Sequence, residues 1–331
     1  MVSIAGRVVR RSLLTTHPGM SGSTLEAVEL DDGRRLVLKH MRPRGDWQMR
    51  ATRDPGVRDA VLWTAGVLGQ LPAEIDTAIV GVERNDDHEG ERWTLIMRDV
   101  GQGLFPAGAV IPREVSRRLL TGVAGVHRAF LGRRVEGLSG LAERYKLLSP
   151  AVARMELAAS NPIPRRVLEG WPVFAEIVPQ DVGDAVFKVL ERPETLAGEL
   201  MKHDWTLIHG DLQPANLGLD GERIILLDWG LLTTLAPPAV EWAYYLHMRT
   251  RHALIAASPE ELIEDFKGCS RELWDERAWK LALLGSLVMF GWSKALAVKL
   301  SPEGPREEAE RDLQWWIRGA RESLEEWAPP P

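Results

Sequence analysis

The sequence is poor in three features that each would have indicated a particular class of protein. It contains a single cysteine, Cys269, so an internal disulfide is excluded and a reducing, cytoplasmic location is expected. It has no long basic block and a net charge of -6, which argues against nucleic acid as the main partner. It also lacks an apolar run of signal-peptide length near its start, and the apolar stretch Leu281–Phe290 is too short to cross a bilayer. A soluble protein without a membrane partner is therefore expected.

The rest of the composition is that of an ordinary globular protein. Of 331 residues, 45% are hydrophobic and 27% are charged, which is typical of soluble domains. No internal repeat is visible, and low-complexity sequence is confined to Pro329–Pro331. A chain of this length accommodates two lobes or two domains.

One segment, Leu207–Gly230, has a pattern that predicts a strand, a polar loop and a hairpin. Its sequence is LIHGDLQPANLGLDGERIILLDWG. A short apolar strand, Trp205–Ile208, leads into the loop. The hairpin that follows has Asp220 and Gly221 at its turn, a pair that favours the positive φ angles of tight turns. The second hairpin strand, Ile224–Leu227, returns the chain to the end where the loop lies.

Three polar side chains are thereby brought to one end of the hairpin: Asp211 and Asn216 from the loop, and Asp228 from the end of the second strand. Carboxylate and amide oxygens are the ligands that a hard cation such as Mg2+ prefers. One carboxylate and the amide suit a metal, and the other carboxylate is left to act as a base. The segment predicts a metal-assisted reaction in which a carboxylate accepts a proton. The alternative is a coincidental hairpin that carries no chemistry.

The same segment resembles the catalytic core of the aminoglycoside phosphotransferase and choline kinase group, which shares its fold with the protein kinases. The resemblance rests on an HGD motif that ends at Asp211, on Asn216 five residues later, and on a DWG motif that begins at Asp228. The corresponding kinase pattern is HRD-x4-N followed by DFG. By position, Asp211 is expected to accept the proton of an attacking hydroxyl, and Asn216 and Asp228 to hold magnesium.

The resemblance implies an α+β, bilobal, protein-kinase-like fold. Residues 1–100 are expected to form a nucleotide-binding lobe with a five-stranded antiparallel sheet and one main helix. Alternating segments predict the strands, three within Arg10–Met41 and two more at Thr77–Glu83 and Trp93–Arg98. Residues 101–331 are expected to form a larger, mostly helical lobe with the catalytic loop and a substrate-binding insert.

Two neighbouring parts of the first lobe are expected to contact the phosphates of a nucleotide. Lys39 lies in an alternating strand and matches the third-strand lysine of kinases, although a solvent-facing lysine would fit the pattern alone. The loop before that hairpin contains Ser21, Gly22 and Ser23, whose small side chains let backbone N–H groups approach an anion. Without the downstream motif, a plain hairpin loop explains this stretch equally well.

Two further expectations in the first lobe depend on the resemblance. Arg98 and Val100 match the hinge, whose backbone groups hydrogen-bond the adenine. The predicted helix Asp59–Leu71 matches the kinase helix whose glutamate pairs with the lysine, here Lys39. Asp59 is one methylene shorter than glutamate, so pairing with Lys39 and capping of the helix stay as alternatives.

The second lobe is expected to be helical on both sides of the hairpin. The predicted helices before it are Pro112–Leu131, Leu141–Ala159, Val173–Ile177, Val182–Leu190 and Glu194–Lys202, with a break at Asn161–Pro164. Those after it are Pro238–Arg251, Pro259–Gly268, Leu273–Leu300 and Arg306–Trp327. No long activation segment and no APE motif follow the DWG motif, so a peptide substrate is not expected. Relatives commonly have Asp-Leu-Ala where this chain has Glu241-Trp242-Ala243, which leaves the support of the catalytic loop open.

The expected function is transfer of the γ-phosphate of ATP or GTP, with Mg2+, to a hydroxyl of a small molecule. Substrate identity and oligomeric state do not follow from the sequence. Thirteen tryptophans and an acidic last helix would suit an amino sugar or another cationic alcohol, but helix packing and a self-paired surface are the competing interpretations. The non-enzymatic alternative is a nucleotide-binding pseudokinase or regulatory module.

Overall fold

The computed structural model describes residues 6–14, 22–54, 56–88, 90–158, 161–230, 232–249 and 253–330. The strands are β1 (Val8–Leu13), β2 (Thr24–Leu30), β3 (Arg35–Met41), β4 (Ile75–Asp76), β5 (Ile79–Arg84), β6 (Trp93–Arg98), β7 (Val110–Pro112), β8 (Thr206–Ile208), β9 (Leu217–Asp220), β10 (Arg223–Leu226), β11 (Thr234–Ala236) and β12 (Leu254–Ala256). The helices are α1 (Trp47–Ala51), α2 (Arg58–Thr64), α3 (Arg113–Ala129), α4 (Leu141–Lys146), α5 (Pro150–Met155), α6 (Ile163–Ile177), α7 (Gln180–Glu191), α8 (Pro193–Leu200), α9 (Pro238–Met248), α10 (Pro259–Cys269), α11 (Glu276–Leu300) and α12 (Glu303–Glu326).

The N-terminal lobe is built on an antiparallel five-stranded sheet, as expected, and the order of its strands is β1-β2-β3-β6-β5. Alternation along β3 gives its two faces different roles, because successive side chains of a strand point to opposite sides. Leu36 and Leu38 are buried with Ile96 on one face, whereas Met41 packs with Ala60 of α2 on the other. Lys39 therefore lies on the face that α2 covers.

Helix α2 is shorter than predicted, because it ends at Thr64 and not at Leu71. Gly66, at φ +68°, takes the left-handed conformation that terminates many helices. A separate 3-10 turn, Leu68–Gln70, accounts for the rest of the predicted helix. The apolar periodicity continues across the break, which is why the sequence alone suggests one helix.

Helix α11 forms the centre of the C-terminal lobe and packs against α6, α9 and α12. At 25 residues it is long and apolar enough to cross a membrane, so the expectation that no stretch approaches that length is wrong. However, 83% of its most apolar window is buried inside the fold, as in the core helix of a globular protein. The earlier expectation counted only the uninterrupted run Leu281–Phe290.

Two helix boundaries differ from the prediction because a proline in the first turn of a helix does not interrupt it, whereas a proline in the interior usually does. The predicted break at Asn161–Pro164 is instead the beginning of α6, with prolines in its first turn, where no backbone N–H is needed. The predicted helix Leu141–Ala159 is divided at Pro150, and Ser149 caps the second part by accepting a hydrogen bond from the N–H of Val152.

The short strand β4 was not predicted, and it joins the two lobes. It pairs in parallel with β10 of the hairpin, and its two residues are too few to give a periodic signal. Its Asp76 is buried and pairs with Arg98 at the end of β6, as well as with Arg223 of β10 at 3.3 Å. Asp76 thus links the edge of the sheet to the hairpin. The parallel pair β7 and β12 also escaped prediction for the same reason.

A buried carboxylate, Asp46, caps α1 near the sheet. One of its oxygens accepts hydrogen bonds from the N–H groups of Gln48 at 2.8 Å and Met49 at 3.1 Å. The side chain is 3% exposed, and its other oxygen has no hydrogen-bond partner within the part of the chain that the structure describes. Burial raises the pKa of Asp46 to about 6, although the capping bonds oppose the shift.

Replacing Asp46 by Asn is expected to change how stability depends on pH. A folded pKa above the ordinary value means that the folded protein binds the proton more tightly, so the buried charge costs stability as the pH rises from 4 to 6. Asn keeps the capping oxygen and removes the charge. Between pH 4 and pH 8, the free energy of unfolding of the Asn variant should gain about 2 kcal/mol on the wild type. Chemical denaturation of both proteins across this range measures the difference, and a difference that does not change with pH would contradict the prediction.

Candidate active site

The predicted catalytic loop, residues 209–216, lies between β8 and the β9–β10 hairpin. The hairpin pairs Leu217 with Leu226 and turns after Asp220, as predicted. Between the two, a 3-10 turn over Pro214–Asn216 bends the chain back on itself. This turn brings Asn216 to Asp211, and the Nδ2 group donates to both the carbonyl oxygen and Oδ2 of Asp211 at 3.0 Å. Asp211 and Asn216 therefore form one hydrogen-bonded unit.

The carboxylate of Asp211 receives two further hydrogen bonds. The Nε2 group of Gln213 donates to Oδ2 at 3.0 Å, so that oxygen has two amide donors. The hydroxyl of Tyr244, on α9, donates to Oδ1. Every one of these donors is neutral, so among the described residues the carboxylate of Asp211 is oriented by hydrogen bonds and not by a salt bridge.

Asp228 lies at the opposite side of the loop and faces the sheet. Its backbone is left-handed, with φ +65°, a conformation that aspartate tolerates better than most residues. Its Oδ1 accepts a hydrogen bond from Nζ of Lys39 at 2.7 Å. Burial opposes ionisation of Asp228, but Lys39 and the N–H of Gly230 outweigh it and keep the pKa below its usual value. Asp228 is thus a carboxylate that stays ionised beside a cation.

Asp59 is the second acidic neighbour of Lys39. Its Oδ2 lies 4.0 Å from Nζ, and the carboxylate is buried without a hydrogen-bond partner among the described residues. It does not cap α2, because Val57 is the capping residue and no side-chain cap bond is present. Of the two alternatives left open by the sequence, the structure therefore favours pairing. Burial raises the pKa of Asp59 to about 7, and Lys39 opposes the shift.

Gly230 makes room for the carboxylate of Asp59 in its present position. A Cβ atom at this position would lie 2.6 Å from Oδ2 of Asp59, closer than real Cβ contacts. The glycine of the DWG motif therefore lets α2 bring its carboxylate against the hairpin.

The pKa of Lys39 is raised, because Asp228 and Asp59 together outweigh the effect of burial.

The predicted phosphate loop is described only in part. Ser21 lies outside the described residues, whereas Gly22 and Ser23 directly precede β2, with Gly22 at φ +84°. Across the sheet Leu25 pairs with Lys39, so the end of this loop stands beside the lysine. Its position agrees with the prediction, while its contact with phosphates stays a prediction.

Both predicted hinge residues have backbone groups that are engaged in hydrogen bonds within the chain. The N–H of Arg98 donates to the carbonyl of Ala78 at 2.9 Å, and its side chain pairs with Asp76, so this residue is occupied in joining the lobes. Val100 precedes a 3-10 turn, and its carbonyl accepts from Gly103 at 2.9 Å. Adenine contacts at both residues remain predictions.

Gly103 lies where the hinge segment passes close to the hairpin. A Cβ atom on it would lie 2.7 Å from the carbonyl oxygen of Leu219, and one on Gly218 would lie 2.3 Å from the carbonyl oxygen of Gly103. The two glycines let the hinge segment press against the hairpin. Close approach of two backbones therefore requires glycine at both positions.

Glu241 supports the catalytic loop, which answers the question raised by its departure from the family pattern. Its Oε2 accepts the N–H of His209 at 3.1 Å, and its Oε1 accepts the N–H of Gly210. Oε2 also lies 2.9 Å from Nε2 of His127 on α3. Burial works against the charge of Glu241, but its hydrogen bond with His127 and the nearby donors hold the pKa below its usual value.

His209 orders the loop through contacts of both ring nitrogens with main-chain groups. Its Nε2 lies 2.9 Å from the carbonyl of Leu227, and its Nδ1 lies 3.2 Å from the N–H of Asp211. The ring meets that of Trp229 edge to face at 4.8 Å between centroids. These contacts fix the strand end that carries Asp228 relative to Asp211.

Three residues near Asp211 were not found from the sequence. Gln213 and Tyr244 touch its carboxylate directly, and the guanidinium of Arg144 lies 5.0 Å from the centre of the Tyr244 ring. Gln213 is within the motif and could have been noted as a donor two residues from Asp211. Tyr244 and Arg144 come from α9 and α4, and no local pattern connects them with the loop.

The residues present fit the oxygen ligands that Mg2+ requires, although they do not form a complete site. In the described ranges no group of three His, Cys, Asp or Glu side chains stands ready for a metal. Because Nδ2 of Asn216 is bound to Asp211, its side-chain amide oxygen is turned away from that carboxylate, and no described residue donates a hydrogen bond to it. Asp228 adds an ionised carboxylate. Mg2+ at such sites takes few protein ligands and is completed by substrate phosphates and water.

The C-terminal helices do not present an acidic pocket. Glu307, Glu308, Glu310, Glu325 and Glu326 are exposed. Asp312 is half-buried, but it pairs with Lys294 and with Arg249 at 3.4 Å. Trp316 is fully buried, and Trp279 and Trp292 are buried as well, so helix packing explains them better than an aromatic box does.

Comparison with known proteins gives matches at the level of structure only. No family model matches the chain, and no curated protein sequence does either. Choline kinase LicA from Streptococcus pneumoniae is 14% identical, with a TM-score of 0.51 and 94% of each chain covered. A thermostable mutant of aminoglycoside phosphotransferase APH(4)-Ia, solved with ADP and hygromycin B, is 14% identical, with a TM-score of 0.50 and 94% of each chain covered.

A third structure supports the same conclusion. The GDP complex of an aminoglycoside 2'-phosphotransferase-IIIa mutant is 14% identical, with a TM-score of 0.50, and covers 97% of this chain and 91% of its own. The likeness extends over both lobes in each case. It shows that this chain has the bilobal α+β fold that these proteins share, with an N-terminal antiparallel sheet and a larger helical lobe.

Proposed function

We propose that this chain, which has the fold of aminoglycoside phosphotransferases and choline kinase, transfers the γ-phosphate of ATP or GTP to a hydroxyl of a small molecule. The observation that carries the proposal is the arrangement around the hairpin. Asp211 and Asn216 form one unit, Asp228 is paired with Lys39, and all four belong to segments that meet where the lobes meet. Solved proteins of this fold contain ADP or GDP.

In the proposed reaction Asp211 acts on the acceptor hydroxyl. The O–H bond breaks as its proton passes to the carboxylate, and the hydroxyl oxygen bonds to the γ-phosphorus. The bond between that phosphorus and the β–γ bridging oxygen breaks, and the nucleoside diphosphate leaves with the electron pair. Such transfers pass through a loose transition state, so positioning of the reactants and neutralisation of the phosphate charge matter more than a strong base.

Charge neutralisation is assigned to Lys39 and to a metal. Lys39 is held between two carboxylates at the face of the sheet, from which an ammonium reaches α and β phosphates in this fold. Asn216 and Asp228 would hold Mg2+, which offsets the negative charge on the phosphates when it is bound. The loop with Ser21, Gly22 and Ser23 would add backbone N–H donors, and the hinge at Arg98 and Val100 would hold the base.

A small acceptor fits the chain better than a peptide. Only seven residues separate Gly230 from Pro238, where α9 begins, and β11 lies among them, so no long segment is left to bind and present a peptide. Amino sugars and other cationic alcohols are included in the proposed class. A cytoplasmic location, where the nucleotides are abundant and the single cysteine stays reduced, is part of the proposal.

The rival interpretation is a pseudokinase that binds nucleotide without transfer. A panel of small alcohols, including amino sugars and choline-like compounds, tests it by release of ADP or GDP from the Mg-nucleotide. The proposal expects at least one alcohol to raise that release above the rate in water. Tight nucleotide binding with no response to any alcohol would favour the rival.

Replacing Asp228 by Asn is expected to remove most of the Mg-dependent stabilisation by nucleotide. Asn tolerates the left-handed backbone of this position, so the fold should persist, while the ionised ligand is lost. A nucleotide bound at about 100 times its dissociation constant adds about 2.7 kcal/mol to stability, and this gain should shrink to that of the metal-free nucleotide. Thermal melting with ATP, with and without Mg2+, measures it, with Asp220→Asn in the exposed hairpin turn as the matched control. An undiminished shift in Asp228→Asn would exclude Asp228 as a ligand.

A further inference from the structure

We propose that Tyr244 is a specificity-determining residue, which directs the phosphoryl group to an alcohol and away from water. The inference rests on the proposed function, because it concerns the same carboxylate. Tyr244 lies on α9, three residues after Glu241, and donates its hydroxyl hydrogen to Oδ1 of Asp211. It is the one contact of that oxygen within the described residues.

Tyr244 takes one of the few hydrogen-bond acceptor positions of the Asp211 carboxylate. An ionised carboxylate offers about four acceptor positions, two on each oxygen. Gln213 and Asn216 fill the two on Oδ2, and Tyr244 fills one on Oδ1. With the described residues counted, a single position therefore remains for the proton of an acceptor, and it lies beside the phenol oxygen.

The phenol is held too firmly to move aside. Its ring packs against two neighbours: Arg144, whose guanidinium carbon is 5.0 Å from the ring centroid, and Phe290, whose ring centroid is 5.6 Å away. Tyr244 is 5% exposed and Arg144 2% exposed. Arg144 is itself fixed by a hydrogen bond to the carbonyl of Leu232 at 3.1 Å. Tyr244 is therefore a fixed wall of the acceptor position and not a removable cover.

The hydroxyl of Tyr244 takes the place of a water molecule at Asp211. A hydroxyl oxygen at hydrogen-bond distance from Oδ1 occupies the space in which a water molecule would bind the carboxylate. Without it, a water can bind there and give a proton to Oδ1 as its oxygen bonds to the γ-phosphorus. The bond between that phosphorus and the β–γ bridging oxygen then breaks, and the nucleoside diphosphate leaves with the electron pair. The products are then the nucleoside diphosphate and inorganic phosphate, so the nucleotide is consumed without an acceptor.

The test compares Tyr244→Phe with Tyr245→Phe. The neighbouring Tyr245 is also buried, and its hydroxyl bonds only to Ser116, at 2.9 Å, among the described residues. Both changes remove one buried hydroxyl, so both should lower the melting temperature, but only the first opens the space at Asp211. With Mg-ATP and no alcohol, phosphate release by Tyr244→Phe should rise at least about threefold over the wild type, and Tyr245→Phe should match the wild type.

Two additional measurements separate this proposal from a structural effect and from the proposed function. Asp211→Asn combined with Tyr244→Phe should lose the extra phosphate release, because the water needs the carboxylate. With an alcohol that the wild type phosphorylates, the ratio of phosphate ester to inorganic phosphate should fall in Tyr244→Phe alone. A folded Tyr244→Phe protein with an unchanged ratio would overturn the role of Tyr244 and leave the proposed function standing. A wild type that neither hydrolyses nucleotide nor phosphorylates any alcohol would overturn both.

Discussion

Replacing Asp211 by Asn is expected to slow phosphoryl transfer by about 10²- to 10⁴-fold, the range that a positioned general base contributes. The amide has the shape of the carboxylate but cannot take the proton. It also turns an N–H2 group toward donors that now bind the carboxylate, from Gln213, Asn216 and Tyr244. Among the described residues no hydrogen bond or ion pair joins Asp211 to Lys39 or Asp228, so nucleotide affinity should stay within about threefold, a change of less than 1 kcal/mol.

Steady-state turnover and nucleotide titration measure the two halves of this prediction. Asp220→Asn is the matched control, because it makes the same chemical change at the exposed turn of the same hairpin. Its turnover should equal that of the wild type. A loss of nucleotide affinity that parallels the loss of turnover in Asp211→Asn would mean that the residue supports the fold of the site and does not act on the acceptor.

Replacing Glu241 by Gln is expected to give the largest loss of stability, about 3–5 kcal/mol, because a buried charged partner is removed from its donors. The carboxylate accepts the N–H groups of His209 and Gly210 and contacts His127. An amide can accept at one position only and places a donor against a donor at the other. Misplacement of the catalytic loop should also lower turnover by about 10²-fold, the cost of a displacement of about 1 Å.

Chemical denaturation and turnover measure these two effects. Glu264→Gln is the control, because that side chain is 76% exposed and its ion pair with Arg113, at 3.6 Å, lies at the surface. This change should alter the free energy of unfolding by no more than about 0.5 kcal/mol. Because the pKa of Glu241 is depressed in the folded protein, its contribution is present above the ordinary carboxyl pKa and is lost as the pH falls through the folded value. Equal stability of the Glu241→Gln protein and the wild type at pH 7 would contradict the assigned role.

The parts of the site that the sequence predicted are those formed by local chain geometry. A strand, a turn and a returning strand within Leu207–Gly230 are enough to bring Asp211, Asn216 and Asp228 to one end of a hairpin. The separate strands of the five-stranded sheet were predictable for the same reason, because each of them lies in a short alternating stretch. Their assembly into one sheet, in which Leu36 of β3 pairs with Arg98 of β6, and the role expected of Lys39 came from the resemblance and not from the alternation alone.

The parts that the sequence did not predict depend on contacts between distant segments. Tyr244 reaches Asp211 across 33 positions, and Arg144 reaches Leu232 across 88. The strand β4 has two residues, too few for any periodicity, yet its Asp76 connects the sheet with the hairpin. Helix α6 was misplaced because a proline near a helix start looks the same in sequence as one that ends a helix.

The position of Asp59 illustrates the boundary between these two cases. The sequence identified the residue but left pairing and capping as alternatives, because the choice depends on how closely α2 approaches the hairpin. That approach is set by Gly230, which has no side chain to keep the carboxylate away. A local motif and a distant helix together therefore decide the environment of Lys39.

The most direct test of the account is to follow the terminal phosphate of the nucleotide. Wild-type protein and the Asp211→Asn variant are incubated with ATP labelled at the γ-phosphate, Mg2+ and the alcohol that most accelerates release of ADP. The account predicts a labelled phosphate ester of that alcohol with the wild type, and almost none with the variant at equal nucleotide occupancy. Label found only in inorganic phosphate, or equal ester formation by the two proteins, would contradict it.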